Sequence, residues 1–138
     1  MKKGDLIFVY GTLRVGESAD LSRNQDATFL QQDKINGVIY DLGWYPGVKV
    51  AGDPFTDADP LVVGDVFILG SNDVTKTLDN YECYPSLYNR IVVQTQSGLS
   101  VWVYTYNGGV DRTQRIMNGD YVLRAESPPV VIPMMVPQ

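Results

Sequence analysis

An α+β fold is predicted, a curled sheet or barrel of six or seven strands with one or two helices. Three observations predict it. Four runs are rich in β-branched and aromatic residues, one window changes to helical period, and the chain ends in a proline-rich stretch. "LIFVY", residues 6–10, is a short strand stopped by Gly11. From Val15 to Lys34 the chain turns polar, which predicts a loop with a short helical turn. "GVIYDLGWYPGVKV", residues 37–50, reads as strand, Gly/Pro turn and strand; "AGDPFTDADP", residues 51–60, reads as a surface loop. "LVVGDVFIL", residues 61–69, is a strand interrupted at Gly64 by a β-bulge.

The period then changes. Val74, Leu78 and Tyr81 recur at i, i+4 and i+7, with Ser71, Asn72 or Asp73 able to cap the helix start. "RIVVQTQSGLSVWVYTY", residues 90–106, folds back as a hairpin around Ser97 and Gly98. Its second strand carries Trp102, Tyr104 and Tyr106 on one face and Leu99, Val101 and Val103 on the other. Two apolar faces predict a central strand. "SPPVVIPMMVPQ" holds four of the eight prolines and is expected to run extended over the surface. We divide the 138 residues into one domain, 1–127, and a Pro-rich tail, 128–138.

Composition narrows the chemistry. A net charge of -5 and scattered basic residues argue against nucleic-acid binding. No apolar run reaches the roughly 20 residues that span a bilayer, and the first apolar run is too short for a secretion signal, so a cytoplasmic protein is expected. One cysteine, Cys83, cannot form an internal disulfide or a Cys-rich zinc site. There is no histidine, which removes a Ser-His-Asp triad, a Cys-His pair and histidine-ligated metal. Any proton carrier must be a carboxylate, tyrosine, lysine or terminal amine.

Glu82 stands out on that ground. It lies four residues after Leu78, on the helix face that must pack against the sheet. Burial, the helix macrodipole and the neighbouring Asp79 would all raise its pKa, which suits a group that takes and returns a proton. Spacing alone leaves open a solvated glutamate at a fraying helix end. "VYGTLR", residues 9–14, supplies a second element: a strand ending in Tyr-Gly-Thr-Leu can turn its N–H groups into an anion-binding nest. An ordinary strand followed by a loop is the other reading of a bare YGT. Tyr88 is compatible with ligand contact or packing; Tyr40, Tyr45, Tyr104 and Tyr106 read as core or rim, and Cys83 as incidental.

In order, "VYGTLR", "GVIYDLGWYPGV", "VVGDVFIL", "TLDNYECYPSLYNR" and "VWVYTYNG" resemble the γ-glutamylcyclotransferase-like family, which includes γ-glutamylamine cyclotransferases and plant avirulence-induced-gene-like proteins. The resemblance spans residues 6 to 121. It implies a small mixed β-barrel with a cavity at one end and cyclisation of an L-γ-glutamyl amine or amino acid to 5-oxoproline. It further implies Glu82 as general acid/base and Tyr10, Gly11, Thr12 and Leu13 as the substrate-binding turn, with Tyr88 lining the cavity. The substrate brings its own nucleophile and electrophile, so neither cofactor nor metal is expected. A small-molecule γ-glutamyl substrate is the implied partner, with glutathione the least favoured. Two other readings keep the same fold: a non-catalytic small-molecule-binding or interaction module, and an enzyme acting on another γ-glutamyl-type amide.

Overall fold

In the computed structural model, which describes residues 1–24, 26–50 and 60–130, the described chain forms seven strands and two α-helices. Their order is β1 (Leu6–Val9), α1 (Leu21–Asn24), β2 (Ala27–Asn36), β3 (Val38–Asp41), β4 (Pro46–Lys49), β5 (Leu61–Leu69), α2 (Asn72–Tyr81), β6 (Tyr88–Gln94) and β7 (Ser100–Tyr106). Five strands form one sheet in the order β2-β5-β1-β7-β6, and β3 and β4 form a separate ribbon. Only the β1–β7 pair of the five-stranded sheet is parallel.

The two-sided apolar strands are explained by two cores. Period-2 alternation sends Ile7 and Val9 of β1 to one face and Phe8 to the other; on β7, Tyr104 opposes Val101 and Val103. Val74 and Leu78 of α2 cover the first face. Ile39 and Val48 of the ribbon, with Ile116 and Tyr121, cover the second. Ile7, Phe8, Phe67 and Leu78 are fully buried, each worth about 1.5–3 kcal/mol relative to exposure. β1 and β7 are therefore central strands, as the double apolar pattern of β7 predicts. The β6–β7 hairpin and the β3–β4 ribbon also form as expected.

Four expectations need correction. The sheet is not a closed barrel among the described residues. It curls until the β6–β7 turn meets β2, where Gln96 N–H donates to the Lys34 carbonyl at 2.8 Å, but no β2–β6 ladder follows. Polar side chains occupy that seam instead, with Asp33 accepting from Ser97 and Gln31. Secondly, much of the supposed loop is a ten-residue strand, β2, preceded by the expected helical turn α1. β2 is a sheet edge with much of its length exposed, so it lacks clean alternation and is held by its ladder to β5.

Thirdly, the bulge lies in β2, where the register shifts between Phe29 and Gln31, while β5 runs straight through Gly64. Gly64 is required because a Cβ there would stand 2.4 Å from both the Phe8 ring and the Val9 carbonyl. Lastly, Tyr81 is 53 % exposed and belongs to no core. The expected surface loop at 51–60 and the proline-rich tail lie largely outside the described residues, at 51–59 and 131–138. Among those described, no helix is long and apolar enough to cross a membrane.

Candidate active site

After β1 the chain turns sharply through Tyr10–Leu13. The carbonyls of Gly11, Thr12 and Leu13 accept from Arg14, Ala19 and Leu21 N–H, which pins the turn from behind. The N–H groups of Gly11, Thr12 and Leu13 find no acceptor among the described residues. Free donors on consecutive residues are what an anion-binding turn needs. Gly11 has no positive φ; its lack of a side chain serves the close approach of Pro46, whose Cγ would stand 2.8 Å from a Cβ. Pro46 is thereby held against the turn.

Arg14, the last residue of the motif, is buried and unreactive. Its Nη1 donates to Asp120 Oδ1 at 2.8 Å and its Nε lies 3.3 Å from Asp65 Oδ2, which also accepts from Val15 N–H at 2.9 Å. This cluster fastens the turn to β5 and to the segment around residue 120.

The opposite wall is the end of α2. Tyr84 N–H donates to the Asp79 carbonyl at 2.8 Å and Cys83 N–H to that of Asn80 at 3.2 Å, a Schellman-type ending. That ending needs a left-handed residue, and Cys83 supplies it with φ 51°. Cys83 is therefore not incidental, because its conformation ends the helix directly after Glu82. A non-glycine in this region is strained by about 1–2 kcal/mol. Replacing Cys83 with glycine should raise stability by about 1 kcal/mol, read as a shift in denaturation midpoint at constant m-value. An unchanged midpoint would mean that the cysteine side chain compensates the strain.

Glu82 is partly buried, and its carboxylate has no hydrogen-bond or ion-pair partner among the described residues. Burial pushes its pKa from 4.5 up to about 7. Desolvation is the cause; neither Asp79 nor the helix end contributes as expected. Asp79 is neutralised elsewhere, lying 3.1 Å from Arg90 Nε and accepting from the Tyr104 hydroxyl at 2.6 Å. Arg90 is stacked over the Tyr84 and Trp102 rings.

Glu82 and the turn line one cavity of about 50 Å³. All six residues named from the sequence, Tyr10, Gly11, Thr12, Leu13, Glu82 and Tyr88, contribute to its wall, joined by Phe8, Val9, Tyr45, Pro46, Tyr81 and Tyr104. Four of the five tyrosine hydroxyls on the wall are engaged, that of Tyr45 being the exception among the described residues. Tyr10 donates to the Tyr104 carbonyl and Tyr88 to that of Pro46, each at 2.6 Å. Tyr81 and Thr12 hydroxyls meet at 2.7 Å, joining the helix end to the turn. Burial first, and the Glu82 charge second, raise the Tyr10 and Tyr88 pKa values far above the ordinary phenol range. These phenols stay neutral, so Glu82 is the one group on the wall poised to exchange a proton near neutrality. Among the described residues no three His, Cys, Asp or Glu side chains converge to hold a metal ion.

Sequence reasoning missed the supporting contacts of Arg14, Arg90 and the Thr12–Tyr81 pair, and read Asp79 only as a repelling neighbour. Their signal was a charged residue inside an apolar motif, the Arg of "YGTLR" and the Arg of "LYNR".

Residues 7–123 match the model of a family described as gamma-glutamyl cyclotransferase, AIG2-like. The Escherichia coli K12 gamma-glutamylcyclotransferase family protein YtfP is 32% identical over 120 residues, covering 86% of this chain and 96% of its own length. The solution structure of YtfP from Escherichia coli superposes with a TM-score of 0.61 over 87% of this chain and 98% of that one. A mouse AIG2-like protein shares the fold at 22% identity, with a TM-score of 0.60 over 78% of this chain and 80% of its own.

Proposed function

This chain belongs to the AIG2-like gamma-glutamyl cyclotransferase family, and on that footing we propose that it cyclises an L-γ-glutamyl amine or γ-glutamyl amino acid to 5-oxoproline, releasing the amine. One observation carries the reading: an unpartnered carboxylate with a pKa of about 7 shares a small cavity with a turn of free N–H donors.

The substrate's α-carboxylate or the developing oxyanion is held by the Gly11–Leu13 N–H groups. Glu82 takes a proton from the α-ammonium, whose pKa of about 8 is close enough for transfer in either direction. The freed amine attacks the γ-carbonyl carbon and closes a five-membered ring. Glu82 passes its proton to the departing nitrogen, the carbon–nitrogen bond to the amine breaks, and the ring nitrogen gives its remaining extra proton to the re-ionised Glu82, which returns it to the released amine. Holding the chain bent contributes about 7–11 kcal/mol where orientation is well enforced. The cavity of about 50 Å³ takes a few waters as it stands, and Tyr45 and Tyr81, both partly exposed, are on its wall.

The test is 5-oxoproline release from a panel of γ-glutamyl amino acids, γ-glutamyl-ε-lysine and glutathione, followed across pH. The base must be ionised, so kcat/KM should fall about tenfold per pH unit below a midpoint near 7. Ligand binding without 5-oxoproline from any member would favour the non-catalytic module.

A further inference from the structure

Arg115 presents an unsolved charge. It is 9 % exposed, its Nη1 is covered without a hydrogen-bond partner, and no part of its guanidinium is ion-paired or hydrogen-bonded among the described residues. The other two sequestered arginines differ, since Arg14 lies against Asp65 and Asp120, and Arg90 against Asp79. A guanidinium does not neutralise itself by losing its proton, so burying it alone is costly.

Arg115 lines a cavity of about 280 Å³ that shares no residue with the Glu82 cavity. Lys34 lines it too, without an ion pair, and among the described residues no aspartate or glutamate is on its wall; Arg115 also borders a neighbouring surface cavity whose one acid, Asp41, lies 3.7 Å from Arg124. That is a local excess of cation in a chain with 16 acidic against 11 basic residues. Backbone glycines at 37 and 119 keep part of the wall free of side chains.

We propose that this second cavity binds a small oxyanion, a phosphate or carboxylate group, with the Arg115 guanidinium as its principal partner and Lys34 as the second cation. Planar guanidinium N–H pairs match such oxygens in a two-point contact. The site is independent of the cyclisation chemistry.

The experiment follows the thermal midpoint of the full chain against inorganic phosphate and, separately, acetate, with chloride at matched ionic strength as baseline. A saturable rise with either anion is expected, and which of the two acts assigns the headgroup. Arg115→Met should abolish the rise and, in chloride alone, melt no lower than the native chain, because it removes an unpaired charge. Lys34→Met, a surface change that leaves folding intact, should weaken the rise at least several-fold. Absence of a saturable rise with both anions, or a rise undiminished in both variants, would overturn the proposal.

Discussion

Replacing Glu82 with glutamine is expected to cut 5-oxoproline release by about 10²–10⁴-fold while making the protein more stable at pH 8. Both effects come from one property. The carboxylate is desolvated without a compensating partner, so the fold holds its proton up to a pH of about 7 where an ordinary glutamate holds it to 4.5. Between those values the folded state binds more protons than the unfolded chain. Stability contributed by this group is complete below the lower value, declines as pH rises through the interval, and is flat above about 7. The shift corresponds to ~2–3 kcal/mol after allowing for solvent at a partly exposed carboxylate. Glutamine keeps the shape and never charges, so the variant should lose this slope in urea denaturation between pH 4.5 and 7. Tyr10 and Tyr88 cannot substitute as base, because their hydroxyls are engaged and their pKa values are raised. Activity within tenfold of native would show that another group moves the proton.

Truncating Arg14 to alanine should destabilise the protein by about 3–5 kcal/mol. The change strands Asp65 and Asp120, both buried, and releases the loop that begins with the Gly11–Leu13 donors. Its effect on activity is expected through a raised KM before any loss of folding. A companion with Arg14→Met, Asp65→Asn and Asp120→Asn removes every charge of the cluster and should recover most of the lost stability. Denaturant midpoints compare the two. Equal destabilisation in both would mean that hydrogen bonds, not uncompensated charge, dominate the cluster.

What the sequence revealed follows from which residues carry a local signal. Central strands were legible because β1, β5 and β7 are covered on both faces, and residues such as Ile7 and Phe8 declare that by composition. β2 was hidden since an edge strand with Gln31, Gln32 and Asp33 in succession has neither alternation nor an apolar run. Spacing to Leu78 made legible only that Glu82 shares the sheet-facing side of the helix; its place beside the turn was what the family resemblance implied, and the cause of its pKa was only partly legible. Asp79 looked like a repelling neighbour until its pairing with Arg90 and Tyr104, distant in sequence, removed it. The bulge was misplaced because Gly64 answers to the Phe8 ring on another strand, a contact no local pattern records. Cys83 carried no recognisable signal, as left-handed helix endings usually advertise themselves with glycine.

The most direct test is a carbon-13 titration of the Glu82 side-chain carboxyl in the substrate-free protein, assigned by its disappearance in Glu82→Gln. A midpoint near 7 is predicted. A midpoint at the ordinary 4.5 would mean water reaches that oxygen pair freely, and the proton-shuttling role assigned to it would be contradicted.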